Sequence, residues 1–235
     1  MTAAAERGTA AAERGLPQVA DAERADPHCL PTDRALELLA AAPWRRLAVI
    51  GDSLAEGVGD PVPGYPDLPW PERLRLLLAD RDPALAYLNS GRRGLTSAQI
   101  AEEQLAGALA FAPDLACVLA GGNDTLSRTF DLARTTAGID HLVGALSAAG
   151  AQPVLFTLMD FTYWREGRSP LRVRLLDINE EIRRLAEQHG ALLVDMARHP
   201  ASRERDMYSR DGIHPSMRAH AVIAAHLVRE LSGVR

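Results

Sequence analysis

A three-layer α/β/α sandwich around a five-stranded parallel sheet is the architecture expected for this chain. Short apolar runs alternate with longer stretches of helical period, which is the pattern of repeated strand–helix units. The runs are apolar on both faces, as strands covered by helices on each side must be. The unusual polar peptides follow the runs directly, where an open parallel sheet collects its ligands.

The first twenty residues contain AAAERG twice, at 3 to 8 and 10 to 15. The repeats offer no large apolar side chain to bury, so residues 1–30 are expected to form a flexible or weakly helical tail and residues 31–235 the folded domain. From Thr32, TDRALELLAAA has a cap candidate, an acidic first turn and leucines on one face, which predicts a short docking helix. Strands are expected at LAVI (47–50), LAYLN (85–89), LACVLA (115–120), PVLFTL (153–158) and ALLVD (191–195). Helices are expected near 70–80, 98–110, 131–149 and 171–189, with a last one after Pro215. One core is the default at 235 residues and 47% apolar content.

Composition excludes several classes of function. All 26 basic residues are arginine, so Schiff-base, Walker-type and Ser-Lys mechanisms have no lysine to use. A net charge of −5 without a basic run gives little support to a nucleic-acid surface. Cys29 and Cys117 make no disulfide framework, and no His, Cys and carboxylate set clusters for zinc. No secretory leader and no apolar stretch long enough to span a bilayer is evident, so a cytoplasmic protein is expected.

Each strand's carboxyl end carries candidate chemistry. The first runs into Gly51-Asp52-Ser53, where a serine can cap a helix or present a nucleophile. The second runs into NSGRRGLTS (89–97), the third into GGND (121–124) and the fourth into MDFTYWREG (159–167). A nucleophilic serine needs a base, and a base needs a group that holds its tautomer. Among seven histidines only His214 has an aspartate three residues before it, Asp211 in DGIHP. His199 is the competing base. Asn123 and Gly94 offer donors that an oxyanion could use.

These blocks resemble those of the SGNH or GDSL hydrolases: GDS at 51–53, the glycine of NSGRRG, GGND at 121–124 and DGIHP at 211–215, over about residues 46–232. The resemblance implies a flavodoxin-like SGNH fold and a GDSL-type esterase or lipase that needs no cofactor and no metal. It implies Ser53 as nucleophile, His214 as base, Asp211 as its orienting carboxylate, and Ser53 N–H, Gly94 N–H and Asn123 as oxyanion donors. Gly91 and Gly94 both fit the family glycine, and Gly94 is chosen for its distance from Asn89. The substrate is expected to be a small acyl ester. Asp52, Arg92, Arg93, Phe161, Tyr163 and Trp164 are candidate substrate contacts, against the plainer readings of a solvated arginine pair and a covered sheet edge. An acyltransferase working on a sugar or natural-product alcohol uses the same residues. A catalytically silent binding module is the alternative of another class. Oligomeric state is not legible.

Overall fold

The computed structural model describes residues 21–163 and 170–234. Five strands, β1 (Arg46–Gly51), β2 (Ala86–Asn89), β3 (Leu115–Leu119), β4 (Gln152–Phe156) and β5 (Leu192–Val194), form one sheet in the order β2-β1-β3-β4-β5. Every neighbouring pair is parallel. The order reverses between β1 and β3, so the carboxyl ends of those two strands border the crevice in which such sheets bind ligands.

Helices cover both faces. On one face lie α2 (Thr32–Leu38), α4 (Trp70–Arg81) and α9 (Met217–Ser232); on the other lie α5 (Ser97–Phe111), α7 (Leu132–Ala148) and α8 (Pro170–His189). The strands feed the two cores by alternation: Leu115, Cys117 and Leu119 of β3 face the first core, and Ala116 and Val118 the second. Two single-turn helices, α3 (Ser53–Glu56) and α6 (Gly122–Leu126), follow β1 and β3. Among the described residues no helix is long and apolar enough to cross a membrane.

Residues 21–30 depart from expectation. The tandem repeat lies outside the described residues, but the segment after it is folded, with α1 at Asp21–Ala25 and Cys29 buried in the first core. What holds it is charge. The buried Glu23 carboxylate accepts two hydrogen bonds from Arg73, at 2.7 and 3.0 Å, and Asp26 accepts from Arg218 Nε and from the Tyr65 hydroxyl, each at 2.8 Å. The arginines lie far along the chain on α4 and α9, so local composition could not reveal them. Buried carboxylates without those partners would oppose folding.

Helix α9 contributes a second buried polar element. The His220 ring, fully enclosed, accepts the Trp70 N–H at Nδ1 (3.3 Å) and donates from Nε2 to the Val58 carbonyl (3.2 Å). Burial pushes its pKa down to about 4, outweighing the Val58 contact that pulls it up. The ring is therefore neutral in the fold, whereas an unfolded chain protonates it near 6.5. Stability from this group is complete above that value and is lost as pH falls toward 4. Urea unfolding at pH 7.5 and pH 5 should show wild type losing about 2 kcal/mol more across the interval than His220→Gln. Equal losses would mean that His220 is not buried neutral.

Candidate active site

The site begins where β1 stops. A Cβ on Gly51 would fall 2.2 Å from the Leu119 carbonyl oxygen, so only glycine lets the chain pass β3 here. Gln104 of α5 brackets the same peptide: its Oε1 accepts the Gly51 N–H at 2.7 Å and its Nε2 donates to the Gly51 carbonyl at 2.9 Å. Asp52 then caps α3, Oδ1 accepting the Leu54 N–H at 3.0 Å. Ser53 is consequently not the cap but the first helical residue, and its hydroxyl is left for another partner.

That partner is His214. Ser53 Oγ lies 3.0 Å from His214 Nε2, and His214 Nδ1 lies 2.6 Å from Asp211 Oδ2. The loop that carries them is pinned on both sides. Asp211 Oδ1 accepts the N–H groups of Ile213 and His214, at 2.9 and 3.0 Å, and Gly212 turns at φ 70°. Ser209 N–H donates to the His214 carbonyl, while Ser209 Oγ donates to the Pro215 carbonyl and accepts the Asp60 N–H. Burial pushes the Asp211 carboxyl up, but hydrogen bonds from the His214 ring and from the Ile213 and His214 N–H groups outweigh it and hold the group below its usual range. It is ionised beside the imidazole at neutral pH.

The candidate oxyanion donors come from three segments of the chain. The segment after β2 spends its N–H groups one by one: Gly91 on Asn89 Oδ1, Arg92 on the Gly51 carbonyl, Arg93 on Glu56 Oε2. Gly94, at φ 85°, follows with an N–H that has no hydrogen-bond partner among the described residues, and the same is true of Ser53 N–H. Gly91 is required for a different reason, since a Cβ there would sit 2.3 Å from the Glu56 nitrogen. Asn123 Nδ2 donates to the Leu95 carbonyl at 2.9 Å, and its contact with Asp52 Oδ2 is long, at 3.4 Å. One amide hydrogen is thus anchored and the other only weakly held.

A cavity of about 120 Å³ opens beside Ser53, Asn123 and His214, with Asp52 and Phe161 also in its walls; Gly94 does not line it. Asp52 is buried, and burial raises its carboxyl to about 6 despite the Leu54 N–H and the nearby imidazole. It meets the wall from within, with its oxygens engaged by the protein. Arg92 is paired with Glu103, and Arg93 with Glu56 at 2.9 Å; neither lines the cavity. Tyr163 does not line the cavity; the guanidiniums of Arg172 and Arg203 lie 5.9 and 5.6 Å from its ring. Trp164 lies outside the described residues. The competing base His199 is packed against His28 and His226, its Nδ1 accepting the Ala201 N–H, and burial lowers its pKa to about 4. No three His, Cys, Asp or Glu side chains among the described residues are grouped to hold a metal ion.

Two supporting residues escaped the sequence reading. Gln104 is one; Asn179 of α8 is the other, clamping the Leu158 peptide after β4 with Oδ1 on its N–H (2.7 Å) and Nδ2 on its carbonyl (2.9 Å). Each is an amide on the buried stripe of its helix, beside Ile100 and Ala108 or Ile178 and Ile182. A polar residue at a core position was the available signal.

Comparison with known proteins follows the same lines. The model of the GDSL-like Lipase/Acylhydrolase family matches residues 49–222. Among solved structures, LAE5, an alpha/beta hydrolase enzyme from the metagenome of Lake Arreo, Spain, is 25% identical with a TM-score of 0.65, over 80% of this chain and 94% of its own. Axe2, an acetylxylan esterase from Geobacillus stearothermophilus, is 22% identical with a TM-score of 0.65, over 81% and 95%. TesA is 23% identical with a TM-score of 0.65, over 79% and 97%. The last two likenesses speak to the fold. No curated protein sequence matches the chain.

Proposed function

Because the chain belongs to the GDSL-like lipase/acylhydrolase family, we propose that it cleaves small acyl esters in two steps through an acyl-enzyme on Ser53. The reading is carried by one observation, the unbroken hydrogen-bond path from Ser53 Oγ through His214 to Asp211. Ser53 Oγ attacks the ester carbonyl carbon while its proton passes to His214 Nε2. The C–O bond to the alcohol then breaks, and the same proton leaves His214 for the alcohol oxygen. Water repeats the sequence: it attacks the acyl carbon, gives a proton to Nε2, and that proton returns to Ser53 Oγ as the acid departs. Asp211 holds Nδ1–H toward itself and faces the imidazolium formed in each half.

The charge that develops on the carbonyl oxygen is met by Ser53 N–H, Gly94 N–H and the Asn123 amide. The two backbone groups have no other partner among the described residues, so neither gives up a hydrogen bond within the protein when the oxyanion forms, and Asn123 gives up only its long contact with Asp52. Asn123→Ala should lower kcat by about 10²- to 10³-fold with KM little changed. A change under about threefold would remove Asn123 from that role.

The nucleophile is tested directly by an alkyl fluorophosphonate, which should label wild type at one site and leave Ser53→Ala unlabelled. A folded wild type that resists the reagent would overturn the reading.

A further inference from the structure

The cavity beside Ser53 reaches beyond the reacting atoms. Its walls include Leu119, Phe156, Met159, Met196 and Ile223, and all five are buried members of the core between the sheet and α9. It is therefore an inlet into that core. Elsewhere such an interior closes up, because empty apolar volume is destabilising. An inlet kept open at the site of reaction is a place for part of the substrate.

The chemistry of the walls says which part. Thr157 Oγ1 is turned away to Asp195 Oδ1 (2.8 Å) and accepts the Ala197 N–H (2.9 Å), and Asp52 is occupied with Leu54 and Asn123. The other polar side chains in the walls, Ser53, Asn123 and His214, are the reacting groups themselves. A sugar ring pushed inward would leave hydroxyls without partners, which is costly, whereas an alkyl chain gains by leaving water. The alcohol half of the ester must depart, and water must then replace it beside His214. An alcohol seated in the inlet would be trapped behind the acyl-enzyme, so the acyl half belongs there.

We infer that this inlet is the acyl pocket and that the preferred acyl group is an unbranched alkyl chain near pentanoyl, an inference that rests on the serine-hydrolase reading above. An engineered cavity of about 150 Å³ in an unrelated protein holds one benzene, six carbons. On that scale the whole cavity of 120 Å³, its Ser53 end included, holds on the order of five carbons, the carbonyl carbon among them. Ile223, on α9, and Met196, just after β5, set the depth.

The test is kcat/KM of the full chain on p-nitrophenyl esters from acetyl to dodecanoyl, beside a second series of acetate esters of increasingly long alcohols. In the first series the constant should rise about fourfold per methylene, roughly 60-fold from acetyl to pentanoyl, and fall beyond heptanoyl. The second series should vary less than threefold. Ile223→Phe should move the optimum to acetyl or propanoyl, and Ile223→Ala should move it about two carbons longer. Should Ile223→Phe fail to fold, Met196→Phe fills the same inlet. An optimum at acetyl, a steeper alcohol series, or an optimum unmoved in the folded variants would overturn the inference. Fluorophosphonate labelling separates the two levels: a labelled enzyme with the wrong profile loses only the acyl pocket, while a protein neither labelled nor active loses both readings.

Discussion

Ser53→Ala should lose about 10⁶-fold in kcat, His214→Ala should lose nearly as much, and the double variant should be no slower than either single one. The reason is the 3.0 Å contact between Ser53 Oγ and His214 Nε2. A serine hydroxyl at neutral pH attacks only while its proton is being taken, so removing the acceptor or the attacker abolishes the same step. What should survive is reaction with water directed by the proposed oxyanion donors, which neither substitution touches. The variants should also keep their fold. The Ser53 side chain makes no hydrogen bond other than that to His214 among the described residues, and Asp52 rather than Ser53 caps the following helix. Single-turnover rates on one ester, with urea midpoints as the control, measure both points. Losses that multiply in the double variant would mean two residues acting independently, and the proton path would be wrong.

How far this site was legible from sequence depends on the range of the interaction. The strands and main helices announce themselves because burial imposes a period on neighbouring residues, and the order of glycines and polar residues after each run marks the crevice. Asp211 and His214 are three residues apart and share one turn, so their pairing is local. Ser53 meets them only through the parallel order of the sheet, which the alternation of elements implies. Where the reading fell short, the partner was remote and chemically unexceptional. Glu23 and Asp26 look like solvated charges until Arg73 and Arg218 close over them. Arg92 and Arg93 look available until Glu103 and Glu56 take them. The inlet is a volume bounded by residues from β3, β4, α9 and the chain after β5, and no local pattern encodes a volume.

Asp211→Asn is the sharper probe of how His214 is held, and it should lower kcat by about 10³- to 10⁴-fold without unfolding the protein. Asp211 does two jobs with two oxygens. Oδ1 accepts the Ile213 and His214 N–H groups and shapes the turn; Oδ2 accepts the ring N–H at 2.6 Å. An asparagine keeps the first oxygen and so the turn, but it puts an NH₂ where the second was. That group donates to Nδ1, the ring proton moves to Nε2, and Nε2 can no longer accept from Ser53. The prediction therefore separates geometry from tautomer: Asp211→Ala, which loses the turn as well, should lower the melting temperature, whereas Asp211→Asn should leave it nearly unchanged. The pH dependence has a definite sign. The Asp211 carboxyl is held below its usual range, so its help to His214 is intact above about pH 4 and fades only as pH falls further. Between pH 5 and 9 the ratio of wild-type to Asp211→Asn rates should accordingly contain no step from Asp211 itself. A ratio near one across that range would show that the carboxylate, although in contact with the ring, does not select its tautomer.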